Sequence, residues 1–175
     1  MPKAFASDDS DDLVRAERDI TQQLGGLDLD LRSLAVVSNI FRVATAVRNH
    51  MEGTVLAEHH LSWSAFVVLF VLRIWGEQES RDLAAEAGIS GGTLTGVVKT
   101  LERRGLVTRR EHDRDRRRVV VSATARGSRT IDEVMPAFNT HEALVTSDLT
   151  AVQAAQLARG LRRVLRTVEQ LDGIA

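Results

Sequence analysis

The stretch Ser90–Gly127, SGGTLTGVVKTLERRGLVTRREHDRDRRRVVVSATARG, decides the reading of this chain. Ser90 caps a helix that runs to about Arg104 and stops at Gly105. Two short strands follow, Leu106 to Arg110 and Arg118 to Ser122, separated by the charged turn HDRDRRR, and Thr124 caps another helix. From Ser90 to Arg129 there are eleven Lys or Arg residues (Lys99, Arg103, Arg104, Arg109, Arg110, Arg114, Arg116, Arg117, Arg118, Arg126 and Arg129) against four acids (Glu102, Glu111, Asp113 and Asp115). The whole chain of 175 residues has a formal charge of only -1. A hairpin this basic in a nearly neutral chain is offered to a polyanion, because each neutralised phosphate releases condensed counterions. Duplex DNA is the expected partner.

Upstream, RDLAAEA fits a short helix over Ser80–Glu86, and a turn holding Gly88 and Ile89 leads to Ser90. Two helices joined by a Gly turn give a helix-turn-helix, whose second helix enters the major groove. Ser62 caps an earlier helix with Phe66, Leu69, Phe70 and Leu72 at helical spacing, stopped by Gly76. Asp28 or Asp30 opens a long helix over about residues 30–58, striped by Leu31, Leu34, Ala35, Ile40, Phe41, Val43, Val47 and Met51. Ser10, followed by Asp11 and Asp12, begins a short helix over about 11–24 that Gly25 and Gly26 close. At the other end, one helix runs from Thr124 to about Val145 and a last amphipathic one from Leu149 to Leu171. The apolar stripes of these flanking helices have no partner in the centre, so a homodimer is expected, and it presents two recognition helices to a palindromic site. The expected fold is mainly α. A winged helix-turn-helix occupies residues 61–123, a helical dimerisation region comes from 29–60 and 124–175, and residues 1–28 form an N-terminal extension.

Composition narrows the function. Apolar residues make up 43% of the chain, which suits a globular protein, and no run approaches the ~20 apolar residues of a membrane span. The start, MPKAFASDDSDD, has no apolar signal core, so the expected location is the cytoplasm. The chain has no cysteine, which excludes disulfides, thiolate metal sites and thiol nucleophiles. It holds no nucleophile elbow, P-loop, dinucleotide fingerprint or metal-binding helix motif. No enzyme activity and no cofactor are expected.

Four segments in order, LSWSAFVVL from Leu61, DLAAEAGIS from Asp82, LTGVVKTLERRGLV from Leu94 and DRRRVVVSATARG from Asp115, closely resemble the MarR family of bacterial transcription regulators over roughly residues 30–171. The resemblance implies a homodimeric winged helix-turn-helix repressor or activator. Its grip on DNA would change when a small molecule binds between the dimerisation and DNA-binding regions. Four positions depart from the family pattern. Gly91, Gly92 and Gly96 stand where the family usually has Arg or Ser at or near the groove-facing side, and Ala123 stands where it favours Leu. The glycines fit either drift at a helix start, or close backbone approach to DNA or a helix that orders only on binding. Ala123 is expected to loosen the packing between strand and helix.

With those side chains missing, base contacts fall to Ser90, Thr93, Thr95 and Lys99. Thr offers a hydroxyl to any base and a methyl to thymine, and Lys reaches guanine or phosphate. The bland alternatives are a helix cap for Ser90 and a bond to the helix's own carbonyl for each Thr. In the turn, Arg114, Arg116 and Arg117 face DNA, and Arg117 matches the family's wing-tip Arg that enters the minor groove. Asp115 pairs with a neighbouring Arg and holds the wing in shape. Arg103, Arg104, Arg109 and Arg110 serve phosphate contact or solubility alike. By family analogy alone, His50, Trp63, Phe66, Phe70 and Arg73 line an effector pocket for a small aromatic or anionic molecule. Trp63 and Phe66 are its walls, and His50 or Arg73 is the polar partner; an aromatic at these positions is more often core than ligand contact. His50, His59 and His60 lack ligand spacing, so no metal is assigned. The alternative function is a DNA-binding protein without an effector.

Overall fold

The structure, a computed structural model, describes residues 18–20, 22–24, 26–112 and 115–173. Helical turns stand at 18–20 and 22–24, while Ser10, Gly25 and the start of the short helix expected over 11–24 lie outside the described residues. The chain divides into two compact units, residues 1–48 and 49–175.

Most of helix α1 (Leu31–Gly53) belongs to the first unit. Asp30 starts it: its Oδ1 accepts from Arg32 N at 3.0 Å and Ser33 N at 3.2 Å, and its Oδ2 from the Ser33 hydroxyl at 2.8 Å. These bonds hold the Asp30 carboxyl below its ordinary range, the Ser33 hydroxyl contributing most. Val36, Val37, Phe41 and Val43 are exposed along α1.

The second unit holds the end of α1, then α2 (Val55–Glu58), α3 (Trp63–Trp75), β1 (Gln78–Glu79), α4 (Ser80–Glu86), α5 (Gly91–Arg103), β2 (Val107–His112), β3 (Asp115–Ala123), α6 (Ala125–Val145) and α7 (Ala151–Asp172). The long first helix does not run unbroken to residue 58 as expected. It stops after Gly53, where Thr54 takes φ −116° and ψ −96°. The cause is local. Gly53 is a weak helix former, and the Thr54 hydroxyl donates to His50 O at 2.6 Å.

Ser62 caps α3 as expected, accepting from Ala65 N at 3.3 Å, and Glu52 accepts from Trp63 N at 2.6 Å. Helix α3 buries Phe66, Val68, Leu69, Val71 and Leu72 and forms the centre of the core. Around it pack Leu83 of α4, Leu94, Val98 and Leu101 of α5, Val107 and Val121 of the sheet, and Ile131, Val134 and Phe138 of α6. Each fully buried aliphatic side chain of this kind contributes about 1.5–3 kcal/mol.

The sheet is antiparallel in the order β1-β3-β2. The two-residue strand β1, Gln78 opposite Val121 and Glu79 opposite Val120, was not expected. It is too short to carry an alternating pattern. The expected seven-residue turn is also corrected. Strand β2 continues to His112 and β3 starts at Asp115, because both backbones keep pairing beyond the apolar residues. Glu111 faces Val119 and His112 faces Asp115, so the register shifts there and Arg116, Arg117 and Arg118 lie on the long side of the irregularity.

Beyond Ala123, which pairs with Val107, the junction is closed by Thr124. Its hydroxyl donates to Gly105 O at 2.8 Å and accepts from Gly127 N at 3.0 Å, and its amide donates to Leu106 O at 3.0 Å. Gly127 is required by close approach, since a Cβ there would lie 2.0 Å from Leu106 O. Helix α5, the sheet and α6 are therefore locked at one joint.

At the far end, Thr150 and Gln153 form a reciprocal cap that starts α7. Val152, Leu157, Leu161, Leu165, Val168 and Leu171 are exposed along it, and so are Leu144 and Val145 at the end of α6.

Candidate nucleic-acid interface

Helix α5 follows the turn in which Gly88 adopts φ 62°, a left-handed conformation that favours glycine. Leu94, Val98 and Leu101 face the core, which leaves Thr93, Thr95, Gly96, Lys99, Thr100 and Arg103 exposed to solvent. The hydroxyls on this face have local partners. Ser90 Oγ accepts from Thr93 N at 3.1 Å and lies 2.9 Å from Thr93 Oγ1, so Ser90 is the helix cap. Thr95 Oγ1 donates to Gly91 O at 2.9 Å. The oxygens keep lone pairs and the methyl groups stay outside, so both Thr side chains can still accept from a base or touch a thymine methyl. Lys99 and Arg103 have no hydrogen-bond or ion-pair partner among the described residues.

Gly91, Gly92 and Gly96 do not serve the protein's own packing. A Cβ would meet nothing within 4 Å at Gly91 or Gly96, and only Ser90 Oγ at 3.9 Å at Gly92.

The cations on and beside the sheet behave differently. Arg109 Nη2 donates to Glu102 Oε2 at 2.5 Å, Arg110 Nη2 to Glu77 Oε1 at 2.7 Å and Arg118 Nε to Glu79 Oε2 at 2.6 Å. Glu102 raises the Arg109 pKa above its ordinary value, first through that hydrogen bond and then through its charge. Arg104 donates from Nη1 to His60 O at 2.6 Å and from Nη2 to His59 O at 2.9 Å. Four cations read as free from the sequence thus have intramolecular partners.

Glu79 was not singled out in the sequence. It sits on β1, takes Arg118, and lies 3.7 Å from His112 Nε2, so it anchors the base of the wing. Its only signal was an unrecognised two-residue strand. Asp115, expected to hold the wing, stands opposite His112 at the start of β3. Arg114 lies outside the described residues, and Arg116 and Arg117 are placed on β3 by their backbone.

The expected ligand region is brought together in part. Trp63, Phe66 and Phe70 lie along α3 and are joined by Phe138 of α6, which the sequence reading had not placed there. Phe66 stacks on Phe138 with centroids 4.4 Å apart, and Trp63 lies 6.1 Å from Phe66 and 6.2 Å from Phe138. Phe66 and Phe138 are buried, whereas Trp63 and Phe70 are half-buried. His50 Nε2 meets His141 Nδ1 at 2.9 Å, and Arg73 is paired with Asp132 at 2.9 Å. An open groove of about 620 Å³ lies elsewhere, between α4, α5 and the sheet, with Arg81, Ala84, Leu94, Thr95 and Val98 in its walls. Among the described residues no three His, Cys, Asp or Glu side chains are grouped to hold a metal ion, and no single helix is long and apolar enough to cross a membrane.

Comparison with known proteins agrees with this geometry. The sequence pattern of the MarR family matches residues 61–119. The uncharacterised HTH-type transcriptional regulator YwaE of Bacillus subtilis is 37% identical over 136 residues, covering 78% of this chain and 80% of its own. The transcriptional repressor MprA of Escherichia coli is 30% identical over 91 residues, 52% of each chain. Among solved structures, Bordetella bronchiseptica BpsR, whose DNA binding is regulated by 6-hydroxynicotinic acid, shares the fold with a TM-score of 0.67 at 24% identity, covering 73% of this chain and 97% of its own. The chain belongs to the MarR family of transcriptional regulators.

Proposed function

We propose that this regulator is a homodimeric repressor that grips a palindromic DNA operator and releases it when a small aromatic acid binds. The observation that carries the DNA-binding surface is the outer face of α5, where Lys99 and Arg103 are exposed beside Thr93 and Thr95 and have no ion-pair partner among the described residues. Lys99 reaches guanine or phosphate, the two Thr side chains touch base edges, and Ser90 caps the helix and can donate to phosphate. Arg114, Arg116 and Arg117 enter or flank the minor groove, with Asp115 shaping the hairpin. Residues 61–123 are the DNA-binding domain, 29–60 and 124–175 the dimerisation region and 1–28 an extension, and the protein works in the cytoplasm.

Dimerisation is supported by the apolar residues exposed along α1, α6 and α7, since so large an apolar surface marks an interaction site. Deleting residues 149–175 is expected to abolish the dimer or cause aggregation, as read by light scattering. A well-folded monomer that binds the whole palindrome with undiminished affinity overturns this part.

The effector reading is supported by the half-buried Trp63 and Phe70 beside Phe66, with His50 and Arg73 as polar groups, and by the regulation of BpsR by 6-hydroxynicotinic acid. A thermal-shift screen of small aromatic acids, beginning with that compound, tests it, because a ligand that prefers the folded dimer raises its melting temperature. The releasing ligand should also change Trp63 fluorescence, and that change should vanish in Trp63→Phe while Trp75 remains. A second reading, a DNA-binding regulator with no effector, is favoured by the ring-on-ring packing of Phe66 and Phe138. It predicts that no acid in the screen shifts the melting temperature or releases DNA.

A further inference from the structure

We propose that Arg104 is a positioning residue that fastens the end of the recognition helix to a strained joint between α2 and α3, and so couples the aromatic cluster to the DNA-facing surface. This rests on the reading of α5 as the helix that meets DNA.

The joint is unusual. Leu61 N donates to Leu56 O at 2.9 Å and His60 N to Ala57 O at 3.0 Å, the pair of bonds that closes a helix through a left-handed residue. Glycine normally fills that position, but here His60 adopts it with φ 53°. A side chain at such a φ persists only where its surroundings over-determine the backbone. Arg104 supplies such a restraint, since its two terminal nitrogens hold the carbonyls of His59 and His60 at 2.9 and 2.6 Å. The planar guanidinium suits two neighbouring oxygens, and its charge meets the negative end of α2.

The anchor sits at a junction of the fold. Arg104 is the C-terminal cap of α5, one residue before Gly105, whose carbonyl receives the Thr124 hydroxyl. On the other side, two residues separate His60 from Trp63, whose amide is held by Glu52 and whose ring faces Phe66 and Phe138. The bidentate contact of Arg104 thus links the start of α3 to the end of α5, beside the core packing between the two helices. Both terminal nitrogens are engaged inside the protein, which sets Arg104 apart from Lys99 and Arg103 as a phosphate ligand.

The test uses the full-length protein, a duplex enriched by the wild type from a random library, and an unrelated duplex of equal length. All measurements are made at a temperature where circular dichroism shows each variant folded. Arg104→Gln and Arg104→Lys should each weaken the enriched duplex on the order of tenfold, because both lose the bidentate bond. The unrelated duplex should be unaffected and the salt dependence unchanged, since no phosphate contact is lost. His60→Gly should recover part of the loss in Arg104→Gln, because glycine takes the turn unaided. With Trp75→Phe as background, saturating enriched duplex should change Trp63 emission in the wild type and no longer do so in Arg104→Gln.

Full affinity in Arg104→Lys, together with a shallower salt dependence on both duplexes in Arg104→Gln, would show a phosphate contact and overturn the proposal. Equal losses on both duplexes with the Trp63 response intact would also overturn it, as a structural role alone. A wild type that enriches no duplex would overturn the reading of α5 itself.

Discussion

The outer face of α5 and the three-stranded sheet both carry cations and use them differently. On the sheet, Arg109, Arg110 and Arg118 each have a carboxylate partner, Glu102, Glu77 and Glu79. On α5, Lys99 and Arg103 have none among the described residues. A basic stretch is therefore no measure of how many charges can meet a phosphate. Among the described residues, four of the eleven cations counted from Ser90 to Arg129, Arg104 among them, have intramolecular partners. The pairs at the wing base are exposed enough that each contributes little stability, about 0–1 kcal/mol. They tie the two hairpin strands to Glu102, Glu77 and Glu79.

The largest expected effect breaks the joint that both regions share. Gly127→Ala places a Cβ against the Leu106 carbonyl, and the backbone on either side is held by Thr124. A loss of about 3 kcal/mol in urea unfolding is expected, from overpacking with no flexible atom to yield. Wild-type stability in that variant would mean that α5 and the sheet are not locked together.

Next in size is Arg117→Ala, which removes a cation from the wing tip while leaving the pairs at its base. DNA affinity should fall by about 1–3 kcal/mol with no change in melting temperature. An unchanged affinity would make the hairpin tip a solvated loop and leave α5 alone at the DNA.

Gly96→Ala sharpens the contrast within the glycines. A Cβ at Gly96 meets nothing, so the variant should be more stable than wild type by up to ~1 kcal/mol. If the backbone approaches DNA closely there, the same variant binds the enriched duplex more weakly. Unchanged binding would leave the glycine without a role at the groove.

The smallest effect concerns α1. Asp30 has its pKa lowered by the Ser33 hydroxyl and backbone bonds, so its capping contribution is fully present above the unfolded value near pH 4. It is lost as the pH falls through the lower folded value. Asp30→Asn should flatten the acid limb of the helicity profile below about pH 4, as read by circular dichroism. An identical acid limb in both proteins would remove Asp30 as the cap.

Much of this was legible in the sequence for identifiable reasons. Ser62, Ser90, Thr124 and Asp30 were readable as helix starts because capping is a local property of a short polar side chain. The core face of α3 was readable because Phe66, Leu69 and Leu72 repeat at helical spacing. What escaped depends on contacts distant in sequence. Glu79 becomes an anchor only because β1 pairs with β3, and Arg104 a clamp only because the His59–His60 carbonyls lie beside the end of α5. Phe138 joins Trp63 and Phe66 across more than seventy residues, and no spacing rule reaches that far. The break at Thr54 was missed for a different reason. It falls at Gly53 and Thr54, in a stretch whose apolar period continues through it.

The most direct test of the division between free and committed cations is the salt dependence of binding to the enriched duplex in Lys99→Ala and Arg109→Ala. Lys99→Ala should lower the affinity and reduce the slope of log K against log salt by about one, because one phosphate or groove contact is lost. Arg109→Ala should leave that slope at the wild-type value, because its guanidinium is held by Glu102. A wild-type slope in Lys99→Ala with a reduced one in Arg109→Ala would contradict the account and place the DNA on the sheet instead of the outer face of α5.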